Sequence, residues 1–179
     1  MTVRTSIALV LLLFTLSANA QAPAASPEAL VKAYTADIQK EGMIVVSRYI
    51  HPDELKRFKD LLMPWVRKDA GQKNEVIPGL FGAEATLASV EAMPASQFMD
   101  GFMRIAGEQL KELTFGDCEI VGTVREKDVT HVVTRVAAGI KGVQIKQMEV
   151  ISTKPFGKEW KLLLSGELEG MAAAISAQQ

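Results

Sequence analysis

Two side chains in the C-terminal half of the chain are of types suited to acid–base chemistry. His131 is a potential general base, and Glu149 is a carboxylate that can orient it or accept a proton. A histidine beside a carboxylate acts as a general base in a pocket from which water is excluded. We therefore take His131 and Glu149 as candidate catalytic residues, on the condition that the fold places them together.

Three further side chains are candidates for contact with a ligand. Arg135 is expected near Glu149 or Gln147 on a neighbouring strand, and Tyr34 is expected in the core with its hydroxyl at the edge. The alternative for the strand residues is a solvated polar face, on which an Arg135–Glu149 pair contributes little energy. The choice depends on which face of the sheet the helices cover, and the sequence leaves that open.

Other kinds of chemistry lack the residues that they need. His51 and His131 are far apart in the sequence and match no zinc-ligand spacing, so we predict no metal site and no cofactor. Met99 and Met103 have the spacing of neighbours on a helix, where methionine usually fills a core. Cys118 is the single cysteine and has no partner for an internal disulfide, which favours a small buried apolar residue.

The composition excludes one large class of partner. The chain has 179 residues, with 20 Lys and Arg against 21 Asp and Glu, and its net charge is −1. A protein that binds nucleic acid generally needs a basic surface, so we expect no nucleic-acid partner. Apolar residues make up 48% of the chain, which is typical of a globular domain.

The N-terminus has the features of a secretory signal peptide. Arg4 is followed by the apolar run Ile7–Leu16, and Ala18 and Ala20 are small residues at the positions that signal peptidase recognises. We expect cleavage after Ala20, export to the periplasm or the medium, and no stable membrane insertion afterwards. The division of the chain is then a signal peptide at 1–20, a leader at 21–27 and one domain at 28–179.

Helices are predicted in the first two thirds of the chain. Ser26 and Pro27 form a good helix start, and the sequence from His51 to Glu54 opens a second helix by the same logic. Pro64 is expected to kink or end that second helix, and residues 67–81 are expected to form a loop. The remaining predicted helices are a possible continuation over Met43–Tyr49, a short helix over Ala83–Ala92, and a long one from Pro94 with an apolar stripe to Leu113.

After Thr114 the apolar period changes to that of strands. Four segments with short breaks between them predict an antiparallel meander, because a parallel crossover needs a dozen or more residues. The segments are Phe115–Arg125, Val129–Ala138, Val143–Thr153 and Glu159–Ser165. The fold class is α+β, with N-terminal helices packed on a curved antiparallel four-stranded sheet. A last helical turn or two, carrying Leu168, Met171 and Ile175, is expected to pack against the sheet.

Matching apolar positions predicts the strand register. Val150 is placed opposite Leu162, which separates a mostly apolar face from a mixed one. The apolar face would carry Val132, Thr134, Val136, Met148, Val150, Trp160, Leu162 and Leu164. The mixed face would carry His131, Val133, Arg135, Ala137, Ile145, Gln147, Glu149, Ile151, Lys161 and Leu163.

The order of elements resembles the NTF2-like (cystatin-like α+β) superfamily in its small secreted bacterial form. The resemblance covers about 26–165 and rests on the element order, the helix start at His51–Leu55, and the final hairpin Val150–Leu164 with Trp160 after its turn. It implies a cone-shaped sheet that wraps helices around a pocket, and frequent dimerisation through a sheet face. Many relatives insert a hairpin where residues 67–92 here carry Gly, Pro and helix formers.

Two functional hypotheses follow, and the fold alone does not choose between them. The first is a non-catalytic exported domain that binds a small apolar ligand or a protein partner. The alternative is a small isomerase- or hydratase-like enzyme that uses His131 and Glu149 in the cone. A homodimer through one sheet face is compatible with either hypothesis.

Overall fold

A computed structural model describes residues 25–140 and 143–177 of the chain. The predicted signal peptide and the leader up to residue 24 lie outside these residues. The helices are α1 Pro27–Glu41, α2 Val46–Tyr49, α3 Pro52–Ala70, α4 Val76–Phe81, α5 Leu87–Ala92, α6 Ala95–Gln109 and α7 Gly166–Ala177, with a 3₁₀ turn at Met43–Val45. The strands are β1 Leu113–Glu126, β2 Val129–Ile140, β3 Val143–Phe156 and β4 Glu159–Leu162.

Helix α1 begins and ends where its capping residues require. The Ser26 hydroxyl accepts a hydrogen bond from the Ala29 N–H at 3.1 Å, and Pro27 takes the first helical position. Gly42 follows the helix with a φ of +79°, a conformation that favours glycine. The prediction of this helix is confirmed, and the chain then turns through Met43–Val45 into α2.

Helix α3 corrects two expectations. It begins after His51, whose Nδ1 accepts a hydrogen bond from the Asp53 N–H at 3.2 Å, but it continues through Pro64 to Ala70. Pro64 is exposed, so its ring faces solvent while Leu62 and Val66 on either side stay buried. Packing of this apolar stripe outweighs the loss of one backbone hydrogen bond.

The expected loop at 67–81 is wrong for the same kind of reason. The end of α3 and the whole of α4 lie in this segment, and Ile77 in α4 is almost completely buried. The segment looked like a loop because its polar and Gly/Pro residues break the period of a long helix. A short helix needs only one or two buried side chains to hold it against its neighbours.

The four strands form one antiparallel sheet in the order β1-β2-β3-β4. The predicted meander and the α+β class, with helices first and sheet last, are therefore confirmed. Strand β2 pairs with β3 without interruption from Thr130 to Ile140, whereas the pairing of β1 with β2 shifts register after Phe115 and after Ile120. Such shifts are β-bulges, which bend a strand and raise its local twist.

The predicted register between the last two strands is wrong by three residues. Leu162 pairs with Thr153, not with Val150, because the hairpin closes on the two-residue turn Gly157–Lys158. Gly157 has a φ of +61°, which a two-residue hairpin turn demands. An odd shift exchanges the faces of a strand. Met148 and Val150 therefore lie on the face opposite to Leu162.

The helices cover the face of the sheet that carries Val132, Thr134 and Leu162, all three of which are buried. The opposite, outer face is open, and Met148 and Val150 are 53% and 61% exposed there.

The expectation that the last helix packs against the sheet is corrected, because α7 packs along α3. The Ser176 hydroxyl donates to the Leu61 carbonyl at 2.7 Å, and Arg57 pairs with Glu169 at 2.8 Å. Within the described ranges, no helix is long and apolar enough to cross a membrane.

Candidate functional site

An open groove of about 810 Å³ lies between α1, the inner face of β3 and the start of α7. We call it the α1–β3 groove. Its walls are mostly apolar and come from every layer of the fold, since α1, the turn after it, and strands β1 to β4 all contribute. The main apolar side chains are Ile38, Met43, Leu113, Phe115, Ile151 and Leu164.

Three polar side chains interrupt this apolar lining. Tyr34 projects from α1, and Gln147 and Glu149 project from β3. The Gln147 side-chain amide donates a hydrogen bond to the Glu149 carboxylate at 2.6 Å. These three are the predicted site residues that the structure brings together.

Tyr34 is held as a neutral phenol. Burial raises its pKa to about 12, and the Glu149 carboxylate adds to the rise because it repels a tyrosinate. The ring packs edge-on against Tyr49, with 5.4 Å between the centroids. Tyr34 therefore provides the groove with a phenol that stays protonated far above neutral pH.

We expect the Tyr34 phenol to titrate near pH 12. Because the folded protein holds this proton more tightly than the unfolded chain, whose tyrosines titrate near pH 10, the stabilising contribution is complete below pH 10. It is lost as the pH rises from about 10 to about 12. Tyrosinate absorbance near 295 nm, followed against pH, measures the step, and Tyr34→Phe should remove it.

A matched pair of variants tests the cause of the shift. Glu149→Gln should move the Tyr34 step partway back toward pH 10, whereas Glu126→Gln, far along the sheet, should leave it in place. A Tyr34 step near pH 10 in the wild-type protein would contradict the burial described above.

His131 and Arg135 do not reach the groove. Both lie on the outer face of β2, because side chains alternate along a strand and Val132 and Thr134 are the ones buried under the helices. The expectation that His131, Arg135 and Glu149 share a face is therefore wrong, because in the pairing of β2 with β3 Thr134 lies opposite Glu149 and Arg135 lies opposite Met148. Gln147, Glu149 and Ile151 line the groove on the inner face of the sheet, whereas His131 lies on the outer face.

The two displaced residues have partners on the outer face. His131 Nδ1 lies 2.9 Å from the Ser152 hydroxyl, and its Nε2 lies 3.6 Å from a carboxylate oxygen of Glu126. Arg135 pairs with Glu119 at 2.6 Å, in place of the expected Glu149 or Gln147. These partly exposed pairs bind neighbouring strands together and leave no enclosed acid–base site around His131.

Cys118 contributes to the groove side of the sheet, which the sequence reading did not predict. Its thiol is half-buried beneath α1, and burial raises its pKa, while hydrogen bonds with Thr35 and Thr134 act in the opposite direction. Cys118 packs against the core, as predicted for a small apolar residue, but it is only partly buried. Leu113 and Phe115 were also missed as site residues, although their place at the start of a strand marks the floor of the groove.

The charges around the groove are of one sign. Among the described residues that line it, Glu149 and Glu167 are the charged ones. In residues 25–140 and 143–177, no three or more His, Cys, Asp or Glu side chains converge to hold a metal ion. The groove therefore offers an apolar surface with hydrogen-bonding groups and an acidic character.

A second, smaller cavity of about 380 Å³ lies between α3 and α5. Its cations already have partners: Lys59 donates to the carbonyls of Glu91 and Met93, and Arg67 pairs with Glu91 at 2.7 Å. Lys56 likewise pairs with Asp60 one helical turn away. These contacts hold α3 against the α5–α6 connection. We therefore assign the side chains of this cavity a structural role.

Comparisons with known proteins show no family for the chain. No protein-family profile matches it, and no curated protein sequence matches it. Among solved structures, the chain is similar to the solution structure of a SEC-C motif-containing protein from Rhodopseudomonas palustris. The two share 11% sequence identity with a TM-score of 0.46, over 79% of this chain and 78% of the other.

Proposed function

We propose that the protein is a non-catalytic binding domain that holds an apolar ligand in the α1–β3 groove. The observation that carries this proposal is the groove itself: about 810 Å³, largely apolar, open to solvent, and with a few convergent polar groups. Ligand sites in proteins have this size and lining, with polar groups that fix the orientation of the ligand. Tyr34 and Gln147 are the hydrogen-bonding groups suited to that task.

We also propose that the domain is exported and belongs among NTF2-like proteins. The apolar run Ile7–Leu16 ahead of Ala18 and Ala20 supports removal of a signal peptide. A pocket between helices and the inner face of a bent antiparallel sheet is what the NTF2-like resemblance implies, and the α1–β3 groove occupies that position. The bulges in β1 supply part of the bend.

Binding is favoured over the isomerase or hydratase alternative by the place of the acid–base residues. Glu149 lies in the groove without His131, which is bound to Ser152 on the outer face. Glu149 is instead held by Gln147 at 2.6 Å. An enzyme of the alternative class would need a second group that exchanges protons near neutral pH. The Tyr34 phenol keeps its proton there, and hydrogen bonds with the backbone and Ser165 lower the pKa of Glu167, the other acid of the groove.

A neutral apolar dye, Nile red, tests the proposal directly. We expect its fluorescence to rise on binding to the wild-type protein and the variant Gln147→Trp to bind it about tenfold more weakly, because the indole fills the groove. Gln147 is exposed on the groove side of β3, so the larger side chain does not disturb the core. Equilibrium titrations of dye with protein give both dissociation constants.

The matched control is Gln72→Trp, which adds the same side chain at an exposed site after α3, away from the groove. It should bind Nile red as the wild type does. Equal weakening in both variants, or no binding by the wild-type protein, would contradict a ligand site in the groove.

A further inference from the structure

One edge of β3 lacks a neighbouring strand over most of its length. β3 has 14 residues and β4 has four, and β4 pairs only with Thr153–Phe156. One further backbone hydrogen bond extends that pairing: the Leu163 N–H donates to the Ser152 carbonyl at 2.8 Å. In the part of the chain that the structure describes, no strand pairs with this edge from residue 143 to residue 151.

The backbone groups at this edge form a regular row. Because the Ser152 carbonyl faces the β4 side, every second residue before it presents its N–H and C=O toward the same side. Those residues are Lys146, Met148 and Val150, and the residues between them pair with β2. An unpaired row of this kind is a template for another strand.

The other long edge of the sheet differs in one respect. No strand of the described residues pairs with the outer edge of β1 either, but β1 is bulged after Phe115 and after Ile120, which interrupts the regular spacing that an added strand needs, and Gln39 already donates to its Gly116 carbonyl. The pairing of β3 with β2 has no such shift. The β3 edge is therefore the better template of the two.

The α1–β3 groove lies directly beside this edge. Its far wall is the segment from Ser165 to Leu168 at the start of α7. A chain placed in the groove would continue the sheet where β4 ends, with alternate side chains facing Ile151 and Glu149. The groove thus combines a backbone template with pockets for side chains.

The charges indicate what kind of strand fits. Glu149 and Glu167 are the charged side chains among the described groove residues, so a basic side chain on the ligand would be complemented. A second copy of this chain would bring the same two carboxylates to the contact, where like charges repel. A separate segment with apolar residues and a basic one fits better.

We propose that the β3 edge binds an extended peptide segment by strand addition, with its apolar side chains in the α1–β3 groove and a basic side chain facing Glu149. This inference rests on the proposed function and names the class of ligand. The occupant is a segment of another protein, whose backbone pairs with Lys146, Met148 and Val150.

The test uses a fluorescein-labelled synthetic peptide of about nine residues, with valine and threonine alternating and one central valine replaced by lysine. We expect fluorescence anisotropy to show binding to the wild-type protein. A peptide with the same side chains but alternate backbone amides N-methylated should bind about tenfold more weakly, because it cannot complete the ladder. Replacing its lysine with glutamate should also weaken binding.

The protein variant that matches the N-methylated peptide is Val150→Pro. It removes an N–H that faces the open edge and is not needed for pairing with β2, and proline is tolerated on strand edges. We expect about tenfold weaker peptide binding. If circular dichroism shows that this variant is misfolded, the N-methylated peptide on the wild-type protein still decides the question.

The outcomes separate this inference from the proposed function. Nile red binding without peptide binding, or equal binding of the N-methylated peptide, overturns strand addition and leaves the groove as a ligand site. Failure of both probes overturns both proposals. Sedimentation of the wild-type protein as a dimer that Val150→Pro dissociates would assign the edge to a second copy and overturn the peptide as occupant.

Discussion

Replacing Phe98 with alanine is expected to lower the free energy of unfolding by about 3–5 kcal/mol. Phe98 is completely buried at the centre of the helical layer. Its ring packs against Phe58 of α3, Phe81 of α4 and Phe102 of α6, with centroid separations of 6.3, 5.3 and 5.3 Å. Truncation leaves a cavity that three helices would have to move to fill.

Chemical denaturation, followed by circular dichroism, measures this loss. The control is Val124→Ala on the open end of β1, where the valine is 60% exposed, and its effect should stay within about 0.5 kcal/mol. Phe98→Leu keeps much of the apolar volume, so its loss of unfolding free energy should lie between those of Phe98→Ala and Val124→Ala. A loss below about 1 kcal/mol for Phe98→Ala would show that the rings do not form the core of the helical layer.

Two glycines of helix α6 should respond oppositely to the same substitution. Gly101→Ala should lower the free energy of unfolding by about 1–3 kcal/mol, although alanine favours helix formation. A Cβ at this position would lie 2.7 Å from the Phe81 ring and 3.0 Å from the Leu80 carbonyl oxygen. The Phe81 ring is itself packed against Phe98, so it cannot move aside at little cost.

Gly107→Ala provides the matched comparison. The nearest atom to a Cβ there is the Met43 Cβ at 3.8 Å, which is ordinary van der Waals contact. We expect this variant to be about 0.5–1 kcal/mol more stable than the wild type, because alanine loses less conformational freedom in a helix. Melting temperatures of the two variants should move in opposite directions, and a shared direction would refute the close contact of α4 with α6.

The elements that the sequence predicted well have strong local signals. Ser26 and Pro27 start α1, and the period change after Thr114 marks the sheet, because capping and patterning act within a few residues. The failures come from longer-range effects. Helix α3 passes Pro64 because burial of its stripe stabilises both halves, and α4 forms because Ile77 finds a place in the core.

The site was predicted only in part, because the pairing of β2 with β3 places Thr134, and not Arg135, opposite Glu149. Tyr34, Gln147 and Glu149 are neighbours in the groove, but His131 and Arg135 are not. The register of the last hairpin was a separate error: matching apolar residues favoured Val150 opposite Leu162, whereas the turn at Gly157, with its positive φ, places Thr153 there. In a short terminal hairpin, turn geometry outweighs side-chain matching because β4 has few side chains to bury.

The contact between α7 and α3 has a consequence for how the fold is reached. Ser176 and Leu61 are separated by 115 residues in the sequence, and the His51 N–H donates to the Leu162 carbonyl at 2.8 Å. The first long helices thus find some of their final neighbours among residues that are synthesised much later. During synthesis α6 can cover the Phe58 side of α3 early, but the side of α3 that α7 covers remains exposed until α7 has emerged, and it is a target for chaperones throughout that interval.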